Sequence, residues 1–102
     1  MTGYEISMMV QGGQGDFNIK PDGAYADYFY NTNSMMTVTV PEGDCILTVC
    51  PGGGYIADKI IISDPTAEED VEYKCPEGLS IFHLPYKITG PIIAYGYFRP
   101  RL

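Results

Sequence analysis

The stretch that decides the fold reads Tyr4-Glu5-Ile6-Ser7-Met8-Met9-Val10-Gln11. Side chains along a β-strand alternate between its two faces, and here an apolar residue stands at every second position. The stretch therefore predicts a half-buried strand whose core side carries Tyr4, Ile6, Met8 and Val10. The glycine-rich turn that follows at residues 12–15 ends this strand.

Turn signals recur along the rest of the chain at intervals of about ten residues. Proline and glycine mark these turns, at residues 12–15, 21–23, 41–44, 51–54, 75–78 and 89–91, and a polar turn lies at 31–34. The spacing predicts an all-β protein, either an antiparallel β-sandwich or a jelly-roll-like barrel of about eight or nine short strands. We expect a single domain over residues 1–102 that ends in a flexible tail at 99–102.

Several segments carry more specific predictions. Residues 35–40 and 45–50 are rich in β-branched or apolar residues on either side of a tight turn, which predicts a hairpin. Residues 24–30 predict a strand with aromatic side chains on both faces. Residues 55–63 predict a strand that places Ile56, Asp58, Ile60 and Ile62 on one face. Residues 64–70 predict a single helical turn or a loop.

The charge of the chain limits its partners. The sequence has 13 acidic and 6 basic residues and a formal net charge of -7. This charge repels phosphate backbones and anionic membranes, so neither a nucleic acid nor a membrane is expected as a partner. Residues 1–11 lack the pattern of a signal peptide, and the apolar stretches are too short to cross a bilayer. The sequence predicts a soluble protein made in the cytoplasm, where its odd number of cysteines stays reduced; the alternative is one disulfide pair and one free thiol.

The metal-ligating and nucleophilic residue types do not form a known motif. Cys45, Cys50, Cys75 and His83 have the composition of a zinc site, but the first two would face opposite sides of a strand. We expect these cysteines to be small buried residues, and His83 to be an exposed or hydrogen-bonded strand residue. No linked nucleophile, base and orienting group is visible, so the sequence predicts a protein that is not an enzyme and has no cofactor or metal.

Two further segments have a formal resemblance to ligand-binding loops. Residues 52–54 are three glycines after a strand, but no helix and no Lys-Ser/Thr pair follow, so we expect a hairpin connection and not a phosphate site. The acidic residues between 64 and 72 could hold calcium, but their spacing differs from an EF-hand, and a solvated loop is expected.

Tyrosine is the most informative residue type, since the chain has nine Tyr and no Trp. A tyrosine ring offers an apolar face and a polar tip, which suits protein interfaces and sugar-stacking surfaces as well as the rim of a core. Two aromatic clusters occur, and basic residues follow the second one. The candidate interface or ligand residues are therefore Tyr25, Tyr28, Tyr30, Tyr95, Tyr97, Arg99 and Arg101. The basic tail could also dock against the acidic loop of a neighbouring copy and form a ring or fibre.

One part of the chain resembles a known class of proteins. It reads Met36-Thr37-Val38-Thr39-Val40-Pro41-Glu42-Gly43, and continues through Ile46-Leu47-Thr48-Val49 to Gly52-Gly53-Gly54. This order of strand, Pro-x-Gly turn, strand and glycine-rich segment resembles phage tail-fibre modules and related virion β-domains. Such proteins are structural, and they oligomerise and bind host surfaces without catalysis. The glycine run is shorter than is usual in that class, and the resemblance transfers no functional residue.

Three hypotheses about function follow. The first is a non-enzymatic interaction or structural module that binds a protein partner or itself, as part of an oligomeric virion component such as a tail-fibre, decoration or capsid-associated protein. The second is a carbohydrate-binding module, in which a glycan would contact Tyr28 together with Asp27, Asn31 and Asn33. The third is a small acidic phage-type inhibitor whose carboxylates would block a basic groove on a partner protein.

Overall fold

The computed structural model of the chain describes residues 3–22, 28–30, 35–76 and 80–101. Within these ranges the chain forms strands and turns but no helix. The strands are β1 (Gly3–Gln11), β2 (Gly15–Pro21), β3 (Tyr28–Tyr30), β4 (Met36–Pro41), β5 (Gly43–Pro51), β6 (Tyr55–Ser63), β7 (Val71–Lys74), β8 (Phe82–Ile88) and β9 (Ile92–Pro100). The prediction of an all-β protein is confirmed.

The strands form two sheets that pack against each other as a β-sandwich. The broad sheet has five strands in the order β4-β1-β9-β6-β7, and the narrow sheet has four in the order β3-β2-β5-β8. Neighbouring strands are antiparallel except for β1 and β9, which are parallel. These two strands lie near opposite ends of the chain, so no tight turn needs to join them, and a parallel pair is possible.

The core consists of the alternate side chains that both sheets turn toward each other. Strand β1 buries Ile6, Met8 and Val10, as its sequence predicts, while Tyr4 is half-buried. Removal of these apolar surfaces from water is the main driving force for the fold. Among the residues whose burial the structure describes, the buried apolar ones are Ile6, Met8, Val10, Phe17, Ile19, Val40, Cys45, Leu47, Val49, Ala57, Ile60, Ile62, Phe82, Ile88, Ile92, Ala94 and Phe98.

A close contact between the two sheets involves Phe17 on β2 and Gly96 on β9. The Phe17 side chain is fully buried. A Cβ atom placed on Gly96 would lie 2.9 Å from two carbons of the Phe17 ring, which is closer than real Cβ atoms approach. The glycine is therefore required for the ring to reach the backbone of β9.

The predicted hairpin between residues 35–40 and 45–50 is wrong. Strand β4 pairs with β1 in the broad sheet, whereas β5 pairs with β2 and β8 in the narrow sheet. Gly43 has a φ of 129°, which residues with a side chain rarely adopt, and it lies where the chain passes from one sheet to the other. Residues 52–54 also join the two sheets, from β5 to β6, and do not close a hairpin.

A β-bulge changes the predicted face of β6. The pairing of β6 with β9 shifts at Asp58, which is an extra residue in the strand. As a result Ala57, Ile60 and Ile62 face the core, and Ile56 and Asp58 are only half-buried. The expectation that Ile56 and Asp58 share the face of the other two isoleucines is therefore wrong, because the bulge reverses the alternation partway along the strand.

The end of the chain is more ordered than its composition suggests. Arg99 and Pro100 belong to β9 and pair with β6, although a flexible tail was expected over residues 99–102. The N–H of Arg101 donates a hydrogen bond to the carbonyl oxygen of Gly54 over 2.9 Å. Leu102 lies outside the described residues. The first part of the predicted tail is thus the last part of a strand in the broad sheet.

The segment between β6 and β7 is a turn, as predicted. The Asp64 carboxylate accepts hydrogen bonds from the N–H of Thr66 at 2.8 Å and from its hydroxyl at 2.7 Å. These bonds lower the pKa of Asp64, so this part of the acidic loop remains charged at neutral pH. Of the strand predicted over residues 24–30, the structure describes Tyr28–Tyr30 as β3, and residues 24–27 lie outside the described ranges.

The contact between Phe17 and Gly96 leads to a stability prediction. We expect Gly96→Ala to lower the free energy of unfolding by about 1–3 kcal/mol, because the new methyl group overlaps a ring that has little room to move. Chemical denaturation measures this change. In a Phe17→Leu background the cost of the same substitution should be smaller, and an equal cost in both backgrounds would contradict the contact.

Gly90→Ala is the matched control. A Cβ atom on Gly90 would have no neighbour within 4 Å, and its φ is not in the left-handed region. We expect this substitution to leave the free energy of unfolding unchanged or to raise it slightly.

Candidate interaction surface

Strand β9 presents three of the predicted candidate residues on one surface. Its burial alternates, since Ile92, Ala94, Gly96 and Phe98 are buried and the residues between them are not. Tyr95, Tyr97 and Arg99 therefore point away from the narrow sheet. Because β9 is the middle strand of the broad sheet, these side chains lie along the middle strand of its outer face, with Arg99 at one end.

The neighbouring strands add apolar side chains on both sides of the tyrosines. Met9 of β1 and Ile61 of β6 lie directly opposite Tyr95, and together the three form a row across the sheet. We term the outer face of the broad sheet the broad face. Its outward residues on β1, β6, β7 and β9 are Glu5, Ser7, Met9, Gln11, Ile56, Asp58, Lys59, Ile61, Ser63, Glu72, Lys74, Ile93, Tyr95, Tyr97 and Arg99.

Polar contacts hold the charged side chains of the broad face in place. Lys59 Nζ lies 3.1 Å from Glu72 Oε1 and 5.0 Å from the centroid of the Tyr97 ring. The hydrogen bond with Glu72 raises the pKa of Lys59. Arg99 Nε lies 3.5 Å from Asp58 Oδ1. Exposed ion pairs of this kind add little to folding stability, but they limit the conformations of the side chains that a partner would contact.

The charges of the broad face cancel, unlike those of the chain as a whole. The acidic residues Glu5, Asp58 and Glu72 are matched by Lys59, Lys74 and Arg99. All of the formal net charge of -7 therefore comes from residues elsewhere. A partly apolar face with no net charge, on a strongly acidic protein, is the surface at which association meets the least electrostatic repulsion.

Arg101 lies apart from the other three candidates on this strand. It follows the end of β9 and borders a depression of about 340 Å³ beside the connection from β5 to β6. Tyr55 and Ile81 also line this depression. Arg101 is thus placed at one end of the sandwich, and Tyr95 and Tyr97 are in the middle of a sheet.

The structure does not bring the two aromatic clusters onto one sheet. Tyr28 and Tyr30 belong to β3, whose backbone pairs with β2 at the edge of the narrow sheet. Tyr25, Asp27, Asn31 and Asn33 lie outside the described residues. Tyr28 and Tyr30 therefore belong to the other sheet from Tyr95 and Tyr97.

The cysteines lie in three different settings. Cys45 is buried in the core, Cys50 is half-buried at the other end of β5, and Cys75 follows β7 and is also half-buried. They form no disulfide with one another. In the ranges that the structure describes, no group of three or more His, Cys, Asp or Glu side chains has the arrangement of a metal site.

His83 is an exposed residue of β8, as its strand pattern predicts. Its Nδ1 atom lies 3.0 Å from the hydroxyl oxygen of Thr48, directly opposite on β5. Asn18 of β2 lies on the other side of Thr48 and is 7% exposed, so these three polar residues form a row across the narrow sheet. A hydroxyl and an imidazole resemble two parts of a catalytic triad, but no third side chain orients His83 among the described residues.

Next to this polar row the narrow sheet has a surface depression of about 540 Å³. Lys20, Ile46 and Pro85 lie opposite one another across its floor, and Asp22 and Asp44 supply carboxylates. This depression could not be predicted from the sequence, because its residues come from three strands whose order only the structure shows.

Comparisons with known proteins do not identify a relative. No protein-family model, no curated protein and no solved structure matches the chain significantly. No helix with the length and hydropathy of a membrane span occurs in the part of the chain that the structure describes.

The thiol of Cys45 is the most strongly perturbed titratable group in the structure. Its side chain is 3% exposed, and burial, with a smaller contribution from the neighbouring Asp44 carboxylate, raises its pKa from 9.0 to about 11. The thiol therefore remains protonated and unreactive at neutral pH. Cys45 acts as a small apolar core residue and not as a nucleophile.

This shift predicts how stability depends on pH. A thiol whose pKa is higher in the folded than in the unfolded chain stabilises the fold fully below pH 9, and this contribution disappears as the pH rises to about 11. We expect Cys45 to account for a loss of about 3 kcal/mol of unfolding free energy over that interval.

Chemical denaturation of the wild type and of Cys45→Ala, each at pH 8 and pH 11, tests this prediction. Tyr86 and Cys75, whose pKa values are also raised, titrate in both proteins and give both the same loss of stability. The wild type should lose more stability than the variant, because Cys45 titrates only in the wild type. Equal losses in wild type and Cys45→Ala would contradict the assignment.

Proposed function

We propose that the chain is a non-enzymatic structural module that assembles with copies of itself through the broad face, as a component of a larger assembly of the virion type. The row formed by Met9, Tyr95 and Ile61 carries this proposal. The row lies in the middle of a five-stranded sheet and remains partly exposed. Methionine and tyrosine are enriched in the centres of protein interfaces, where apolar contact supplies most of the affinity.

The surroundings of the row also support an interface. Charged side chains lie around the apolar residues, and four of the six form ion pairs, Lys59 with Glu72 and Arg99 with Asp58. An apolar centre with a polar rim is the usual anatomy of an interface. The resemblance of residues 36–54 to virion β-modules, which are assembly proteins, is in line with this use.

The structural role is favoured over catalysis by the setting of the reactive side chains. Cys45 is buried and protonated, and His83 is exposed and contacts a threonine hydroxyl. Neither belongs to a set of nucleophile, base and orienting group within the described residues.

The assembly proposal predicts that the molar mass depends on protein concentration. We expect sedimentation equilibrium of the wild type to give a mass that rises above the 11.2 kDa of one chain. Ile61→Lys should raise the dissociation constant by about 30-fold or more, because an ammonium group would be buried without a partner at the centre of the contact.

Ile46→Lys is the control for this measurement. Ile46 is 42% exposed on the outer face of the narrow sheet, so the same substitution there should leave the dissociation constant unchanged. A wild type that stays at 11.2 kDa at all concentrations up to about millimolar would rule out the proposed function.

A second candidate function is glycan binding at the depression of the narrow sheet. The depression combines carboxylates with the apolar surfaces of Ile46 and Pro85, and the polar row with Thr48 and His83 lies beside it. Small-molecule sites commonly join an apolar surface with a few polar groups that fix the orientation of the ligand.

A glycan array tests this second function. If a glycan binds, Asp44→Asn should weaken it about tenfold or more, because a hydrogen bond to a charged acceptor is lost. Glu42→Gln removes a nearby exposed carboxylate that does not line the depression, and it should have no effect. An array without any bound glycan rules this candidate out.

A further inference from the structure

The broad face has charges of opposite sign at its two ends. Glu5 lies on β1 beyond the row that contains Ile93. At the other end, Lys59 and Lys74 lie in the row of Tyr97 and Arg99 lies beyond them, and these three cations outnumber Asp58, the carboxylate beside Arg99. The six steps from Ile93 to Arg99 along β9 span about 20 Å. The face therefore has an acidic end and a basic end that are far enough apart to meet a partner separately.

We infer that two copies of the chain pack broad face to broad face around a two-fold axis, with their strands antiparallel across the interface. This inference rests on the proposed function and specifies its partner and geometry. The axis passes near Tyr95 and Tyr97, the midpoint of the exposed part of β9. It places the acidic end of each copy opposite the basic end of the other.

The two ends are also complementary in shape. A depression of about 200 Å³ lies at the acidic end, and Glu5, Ser7, Ser63, Pro65 and Ile93 line it. The side chain of Arg99 is 51% exposed at the basic end. In the antiparallel arrangement the Arg99 guanidinium of one copy keeps its contact with Asp58 through Nε, and its other N–H donors reach the depression of the other copy and meet the Glu5 carboxylate. The two-fold axis produces this contact twice.

The size of the broad face suits a stable dimer. The five strands have six, nine, nine, nine and four residues, and at about 3.3 Å per residue and about 4.8 Å between strands they give a face of roughly 600 Å². A standard protein interface buries about 800 Å² per partner. The face is thus large enough for specific association, but only if most of it is used.

Two other arrangements of the copies are less favourable, one because of charge and the other because of the structure of the tail. A two-fold axis parallel to the strands would place Glu5 near Glu5 and Arg99 near Arg99, which is unfavourable at both ends. A basic tail that docks against the acidic loop of the next copy would need a mobile arm. Arg99 instead lies in β9 beside Asp58, and the backbone of Arg101 is bonded to Gly54.

A charge-swap series in sedimentation equilibrium tests the inference. The wild-type mass should level off at two chains of 11.2 kDa each. Glu5→Arg and Arg99→Glu should each raise the dissociation constant about tenfold, because each creates like charges at both symmetric contacts. The double variant should restore it to within about threefold of the wild-type value. Circular dichroism and thermal denaturation confirm that each variant is folded.

The control is the pair Glu42→Arg and Lys87→Glu, which make the same changes of charge outside the broad face. Neither should change the dissociation constant more than about twofold at physiological salt.

The outcomes separate this inference from the proposed function. A double variant that stays as weak as the single variants overturns the antiparallel geometry, and so does a mass that rises beyond two chains. With either of these results, the proposed use of the broad face still holds if Ile61→Lys abolishes association. A wild type that never exceeds 11.2 kDa overturns both.

Discussion

The ring of Phe17 packs directly on the backbone of Gly96, and this contact joins the two sheets near their centre. Strand β9 can be approached so closely because one of its inward positions has no side chain. The close contact at Gly96 also determines which side chains lie on the opposite face of β9. With Gly96 held against the core, its neighbours Tyr95 and Tyr97 are fixed on the outer face of the broad sheet. The core and the candidate interface thus depend on one strand.

The topology then determines which residues surround these tyrosines. The parallel pairing of β1 with β9 places Met9 beside Tyr95, although the two are far apart in the chain. The bulge in β6 has a comparable effect at the other end of the face. It turns Asp58 out of the regular alternation, so that its carboxylate lies 3.5 Å from Arg99. Both features are long-range, and both shape the surface that a partner would contact.

The faces of individual strands could be predicted from the sequence, because alternation with a period of two is a local property. This works for β1, whose core residues are those predicted, and for β9, whose outward residues include three of the candidates. The prediction from alternation is wrong for β6, because no residue pattern within 55–63 indicates the bulge. Where a bulge lies depends on the partner strand, which the sequence does not identify.

The order of the strands could not be predicted, for a related reason. The turn signal Pro41-Glu42-Gly43 marks a real change of direction, but such a turn can either reverse the chain within a sheet or carry it to the opposite sheet. The choice depends on which strands each segment finally pairs with. Met9 and Ile61 were therefore not recognised as part of the candidate site, since only the strand order places them next to Tyr95.

The edges of the sheets favour contact through a face over contact by strand addition. Among the edge strands, β7 has four residues with Glu72 and Lys74 on one face, β8 contains Pro85, which has no N–H to donate, and β4 ends at Pro41. Short, charged or proline-containing edges resist the addition of a further strand. Edge pairing could also repeat without limit, whereas two broad faces that cover each other leave none exposed. In the proposed pair, the net negative charge carried by the rest of the surface disfavours uncontrolled addition of further copies.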